Sequence, residues 1–141
     1  MRIATFVSLA VSGSGTATYN AVGGPTAISV GSGATLQIGA NVIATNAMAL
    51  ADGAVLVLGA GAQAGIVSPP ATGAAVVRTT GTFFDQTSVP LGRLAPTANV
   101  KCLSLDPAGI TFPRGFDASL KRSGDNLVLR IDKLGGIIVI R

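Results

Sequence analysis

The sequence has no histidine, no tryptophan and no glutamate, and its only cysteine is Cys102. Each absence closes a route. Without an imidazole there is no His to act as general base or to activate a thiol, so Cys102 lacks the usual partner of a cysteine nucleophile. One cysteine cannot close an intrachain disulfide, and without His it leaves a metal centre short of its common soft ligands. Cys102 stands in VKCLSL, an alternating apolar run, and reads as a small buried hydrophobe. Charged residues make up 11% of the chain, against roughly 25% in an ordinary globular domain. That is too little charge for a disordered segment. No stretch approaches the ~18 apolar residues of a membrane span. The basic residues behind the net charge of +4 are scattered from Arg2 to Arg141, without the cluster that a nucleic-acid partner requires. The expectation is a chain with no cofactor, no metal, no nucleic-acid partner and no catalytic site.

What the chain does contain is 19 Gly among Val, Ile, Leu, Ala and Thr, with aromatics at 4%. Absent Glu and scarce Lys argue against long helices, while β-branched residues punctuated by Gly argue for short strands and turns. An all-β fold follows. The opening MRIATFVSLAVSGSGTA imitates a signal peptide, with one Arg, an apolar stretch and then small residues. The expectation here is a retained segment in which residues 3–11 form a strand.

Residues 27–62, AISVGSGATLQIGANVIATNAMALADGAVLVLGAGA, hold one charge, Asp52, and map onto themselves when shifted by twenty. Ala27 falls on Ala47, Gly33 on Gly53, Ala34 on Ala54, Leu36 on Leu56, and Gly39-Ala40 on Gly59-Ala60; Ile28, Val30 and Ile38 meet Met48, Leu50 and Leu58. A period of about twenty is that of a solenoid coil. Within each copy the apolar positions alternate, as on one face of a strand, so each copy reads as two short strands joined at Gly31-Ser32-Gly33 or Ala51-Asp52-Gly53. Stacked coils bury equivalent residues in one column. They also explain the missing charge, since like charges would repeat every ~4.8 Å. A plain β-meander is the alternative. Gly73-Ala74 and Val76 mark a weaker third copy, and Gly13 stands twenty before Gly33 with little agreement around it. In the third copy Pro69-Pro70 takes the place of a strand centre, and Arg78 stands where Ile38 and Leu58 stood. Proline donates no ladder hydrogen bond, so the solenoid is expected to stop or be capped here.

The composition then changes: residues 78–141 hold 14 of the 16 charges and four of the five Phe. DPAG at 106–109, SGDN at 123–126 and LGG at 134–136 separate short apolar runs and read as hairpin turns. The expected organisation is a Gly/Ala-rich repeat region over 1–78, an extended linker or arm over 79–98, and a small antiparallel β region over 99–141, a sandwich or barrel. Phe83 and Phe84 are read as core or intersubunit contacts. The ending Ile137, Ile138, Val139, Ile140 would aggregate as a free edge and is expected in a sheet or against another subunit.

One motif imitates an enzyme. VLVLGAGAQAG at 55–65 matches the dinucleotide fingerprint through Gly59, Gly61 and Ala64. That fingerprint needs a helix directly after it to hold the phosphates, and Pro69-Pro70 prevents one. Paired carboxylates are poorly supplied: Asp52, Asp106 and Asp125 sit in turn sequences, leaving Asp85, Asp117 and Asp132.

The phrases VGSGATLQIG and LADGAVLVLGAG resemble the Gly-rich coils of bacterial β-solenoids, including autotransporter passengers and phage tail spikes. The resemblance covers residues 27–66 well and 67–77 poorly. It implies a virion structural protein of the phage head-decoration, head-fibre or collar type, a homotrimer in contact with other virion proteins. A secreted or cell-surface adhesin or matrix module is the alternative it implies.

Overall fold

The computed structural model describes residues 8–19 and 27–134. The chain is all-β. In order, its strands are β1 (Ser8–Val11), β2 (Thr16–Tyr19), β3 (Ala27–Val30), β4 (Thr35–Ile38), β5 (Ala47–Leu50), β6 (Val55–Leu58) and β7 (Ile66–Ser68). There follow β8 (Ala75–Thr79), β9 (Gly81–Thr82), β10 (Thr87–Leu94), β11 (Leu103–Asp106), β12 (Ile110–Thr111), β13 (Phe116–Ser123) and β14 (Asn126–Lys133). From β1 to β8 successive strands alternate between two sheets, whose full orders are β1-β3-β5-β7-β10-β14-β13 and β11-β8-β6-β4-β2. All pairs from β1 to β10 and from β2 to β11 are parallel. This is a β-solenoid of stacked coils, followed by antiparallel strands.

The alternating residues explain the core. In β3 and β5 the inward pairs Ile28/Val30 and Met48/Leu50 are buried and stack on each other in register. In β4 and β6, Leu36/Ile38 stack on Leu56/Leu58. The predicted shift of twenty is the observed register between these coils. The columns extend outward, with Val67 under Met48 and Val77 under Leu56. Between the strands, the backbone ladder continues around the corner: Gly33 N donates to Gly53 O, and Gly53 N to Ala74 O. Gly13, Gly33, Gly53 and Gly73 all occupy this corner with φ from 67° to 83°. A left-handed backbone repeated in one column is why glycine recurs there. The outward side stays free of charge through the first three coils, with Ser29 above Ala49 and Gln37 above Val57. Thr18 Oγ1 donates to Gln37 Oε1 between neighbouring rungs at 3.2 Å.

Three expectations are corrected. The solenoid, expected to stop or be capped at the third copy, carries one more parallel rung, β10 and β11 on β7 and β8, before the antiparallel hairpin closes it. The reason is a one-residue slide. β7 starts early, at Ile66 opposite Ala47, so Pro69-Pro70 follow the strand instead of interrupting it. β8 starts late, so Arg78 lies opposite Val57 on the outward side, and Thr79, not Arg78, stands beside Leu58. Second, the segment 79–98, expected as an extended linker or arm, contains β9 and β10, and β10 is central in its sheet. Third, DPAG is a corner, not a hairpin. A 3-10 turn over Pro107–Gly109, capped by Asp106 Oδ1 accepting from Ala108 N, carries the chain from β11 to β12. β12 pairs in parallel with β9, adding a short third side to the last coils.

SGDN does form the hairpin between β13 and β14, with Ser123 opposite Asn126. β14 pairs antiparallel with β10, through a bulge between Pro90 and Gly92. Its inward Leu127, Leu129 and Ile131 are fully buried, and β13 reaches β11 at the margin of the opposite sheet. The hairpin thus folds across one end of the core.

Candidate assembly surfaces

Two acidic residues of the described chain tie neighbouring rungs together. Asp52, at the corner of the third coil, accepts from Ala74 N of the next coil at 3.0 Å. Asp106 lies beneath Arg78 in the β8–β11 register and accepts from its Nε at 2.7 Å. The Arg78 guanidinium, and then the Ala108 amide, hold the Asp106 carboxyl below its ordinary value. Asp125 and Asp132 face Arg122 and Arg130 at 3.8 and 2.9 Å. Among the described residues, no three Cys or Asp side chains come together as a metal site would need. No described helix is long and apolar enough to cross a membrane.

The glycines of the dinucleotide-like motif serve the opposite corner. Gly59 packs against the Ala40 backbone, where an added Cβ would lie 2.7 Å from Ala40 N. Gly61, with φ 73°, sits under Asn41, itself left-handed at φ 64°. The short strand β7 follows, where a phosphate-binding loop would be followed by a helix.

A recess of about 310 Å³ lies between β7 and the loop after β10, lined by Ser68, Pro69, Pro70, Thr97, Asn99 and Cys102 among others. Its loop is held by Arg122. The guanidinium donates to the carbonyls of Ala95, Pro96 and Ala98 at 3.3, 3.1 and 3.0 Å, and its Nε to Gly124 O at 3.0 Å. The planar fork suits one side chain to several carbonyls at once. Cys102 is half-buried at this recess, less enclosed than VKCLSL suggested, because a 3-10 turn over Val100–Cys102 precedes β11.

The Phe pair divides. Phe83 is half-buried against the core, its amide donating to Thr111 O at 2.9 Å, and its ring lies over Gly81. Phe84 points outward and is 81% exposed. Leu134, 61% exposed, lies at the same end of the sheet. There Lys133 N donates to Gln86 Oε1 at 3.3 Å, and Leu134 N to Gly115 O at 2.7 Å. Ile137, Ile138, Val139 and Ile140 lie outside the described residues. The sequence singled out both Phe without separating the exposed Phe84 from the half-buried Phe83, and it did not single out Leu134, which follows the alternating LVLRIDK run. It also passed over Arg122, three of whose carbonyl partners, on Ala95, Pro96 and Ala98, lie in another loop that no local pattern marks.

Comparison of the chain with family models, with curated proteins and with solved structures returns no match.

Proposed function

We propose that this chain is a non-enzymatic structural protein of a viral particle. It decorates or projects from a phage head or tail through association of identical copies. The observation that carries the reading is a β-solenoid of rungs stacked in register, with two large apolar side chains, Phe84 and Leu134, exposed on segments that the Lys133–Gln86 hydrogen bond joins. Side chains that stiffen rungs and corners suit a spacer, and exposed large apolar side chains mark a contact. The repeat style of residues 27–66 resembles tail-spike and autotransporter coils alike, so the choice of a particle rests on the exposed apolar side chains, which suit assembly. In this role the solenoid sets distance and the apolar end sets association.

Quantitative mass spectrometry of particle and envelope fractions from the native source tests it. A fixed ratio of this chain to capsid or tail proteins is the expected result. Recovery with an envelope or matrix fraction, without virion proteins, refutes it and moves the assignment to an adhesin.

A further inference from the structure

We propose that the end surface around Phe84 and Leu134 is where one copy of this chain meets another. The inference rests on the assembly reading above and names its contact. Of the four large hydrophobic side chains exposed among the described residues, these two are the most exposed, at 81% and 61%. The hydrogen bond from Lys133 N to Gln86 Oε1 fastens the segment that carries Phe84 to the end of β14 that carries Leu134.

The charges around them select the occupant. Asp85 and Asp117, with Arg114 and Lys133, have no ion-pair partner among the described residues. All four belong to this end: Lys133 lies opposite Phe116 in the β13–β14 register, Asp117 follows Phe116, and Arg114 precedes Gly115, which accepts from Leu134. Two acids and two bases make a neutral rim. A nucleic acid would be repelled by the acids, and a partner of one charge sign would leave half the rim unmatched. A second copy brings the same two signs and satisfies both. An aromatic side chain supplies roughly 150–250 Å², well short of the ~800 Å² per partner of a standard interface. Phe84 and Leu134 therefore act as central anchors, with the charged rim completing the contact.

Sedimentation velocity of the full chain across a thousandfold range of concentration tests the surface. Wild type is compared with Phe84→Ser/Leu134→Ser and with Ile43→Ser/Ile66→Ser, which removes the other two exposed hydrophobics. Circular dichroism and the thermal midpoint confirm that the variants fold. The expected result is an assembled wild type, an Ile43/Ile66 variant that assembles equally well, and a Phe84/Leu134 variant weakened on the order of 100-fold. An assembled wild type with a Phe84/Leu134 variant that assembles equally well overturns the surface alone and leaves self-association to another part of the chain. A wild type monomeric at every concentration overturns the surface and self-association together.

Discussion

Gly33, Gly53 and Gly73 share one corner and one conformation, with φ of 82°, 83° and 79°, yet their neighbours differ, so alanine at each position separates two costs. At Gly33 an added Cβ meets the Gly13 carbonyl oxygen at 3.4 Å, an ordinary contact. Gly33→Ala therefore carries only the penalty of a left-handed L-residue, roughly 1–2 kcal/mol. At Gly73 the same Cβ runs into the Asp52 carboxylate, whose Oδ1 accepts from Ala74 N. Gly73→Ala adds the loss of that exposed hydrogen bond, about 1 kcal/mol, for a total of roughly 2–3 kcal/mol. Gly53 falls between them, because its Cβ would meet Ser32 Oγ at 2.9 Å, and a serine hydroxyl can rotate away. Asp52→Ala alone costs about 1 kcal/mol, but in the Gly73→Ala background it costs almost nothing, since the bond is already gone. The cycle of Asp52→Ala and Gly73→Ala therefore returns a coupling of about 1 kcal/mol. Urea unfolding at one fixed protein concentration measures all four species, the concentration being held because linked association would move the midpoint. Additive effects, or a Gly33→Ala as damaging as Gly73→Ala, would refute the account of Asp52 as the strut between coils.

Two further outcomes follow from the ion pairs. Arg122→Lys releases the loop over 95–99, because an ammonium cannot reach the carbonyls of Ala95, Pro96, Ala98 and Gly124 together. Cys102 then reacts faster with a thiol reagent and the Ala98 amide exchanges faster, while amides of β6 are unchanged; equal labelling rates would contradict the role given to Arg122. Asp106 has a carboxyl pKa lowered from 3.8, first by Arg78 and then by the Ala108 amide. A lowered folded-state pKa gives stabilisation that is complete above the unfolded value and lost as pH falls through the folded one. Wild type therefore has the higher thermal midpoint relative to Asp106→Asn at neutral pH, and the gap closes on acidification below 3.8; a gap that persists at the lowest pH would disprove the pairing.

The middle of the solenoid was legible because two signals coincide there. Leu36 and Leu56 carry the alternation of a strand, and Gly33 and Gly53 mark the left-handed corner, both at the same spacing. Where the spacing splits, reading from sequence failed. The corner glycines keep twenty from Gly53 to Gly73, but the strands shift to nineteen at Ile66 and twenty-one at Val76. One shared period then puts Pro69 inside a strand and Arg78 in the core, and neither is there. The first coil was hidden differently: β1 and β2 repeat the corner glycine but replace Leu36 and Ile38 with Ala17 and Tyr19, so the apolar match is lost. The rung made by β10 and β11 left no periodic trace, because a longer loop and a 3-10 turn separate them. At the candidate surface, composition singled out the Phe pair but could not divide it. Phe83 is turned inward by the β9–β12 pairing and the bond to Thr111, and such pairing between distant segments is not written in either segment alone.

The closing hairpin bears on the kind of assembly this end permits. A stack of parallel rungs invites another copy to add a rung, and repeated addition yields an open fibre. Such addition requires a short edge on each of the two sheets. Here the last strand of the longer sheet is β13, twice the length of an inner rung, and it bends across to β11 at the margin of the other sheet. It also carries Asp117 and Lys121 on its exposed side, charges of the sort that discourage strand addition. If copies meet at this end, as proposed for Phe84 and Leu134, they meet through side chains instead of by adding a strand. A contact of that type is used up once the apolar anchors are covered. Its mass then reaches a plateau as concentration rises, whereas rung addition would give a mass that keeps growing.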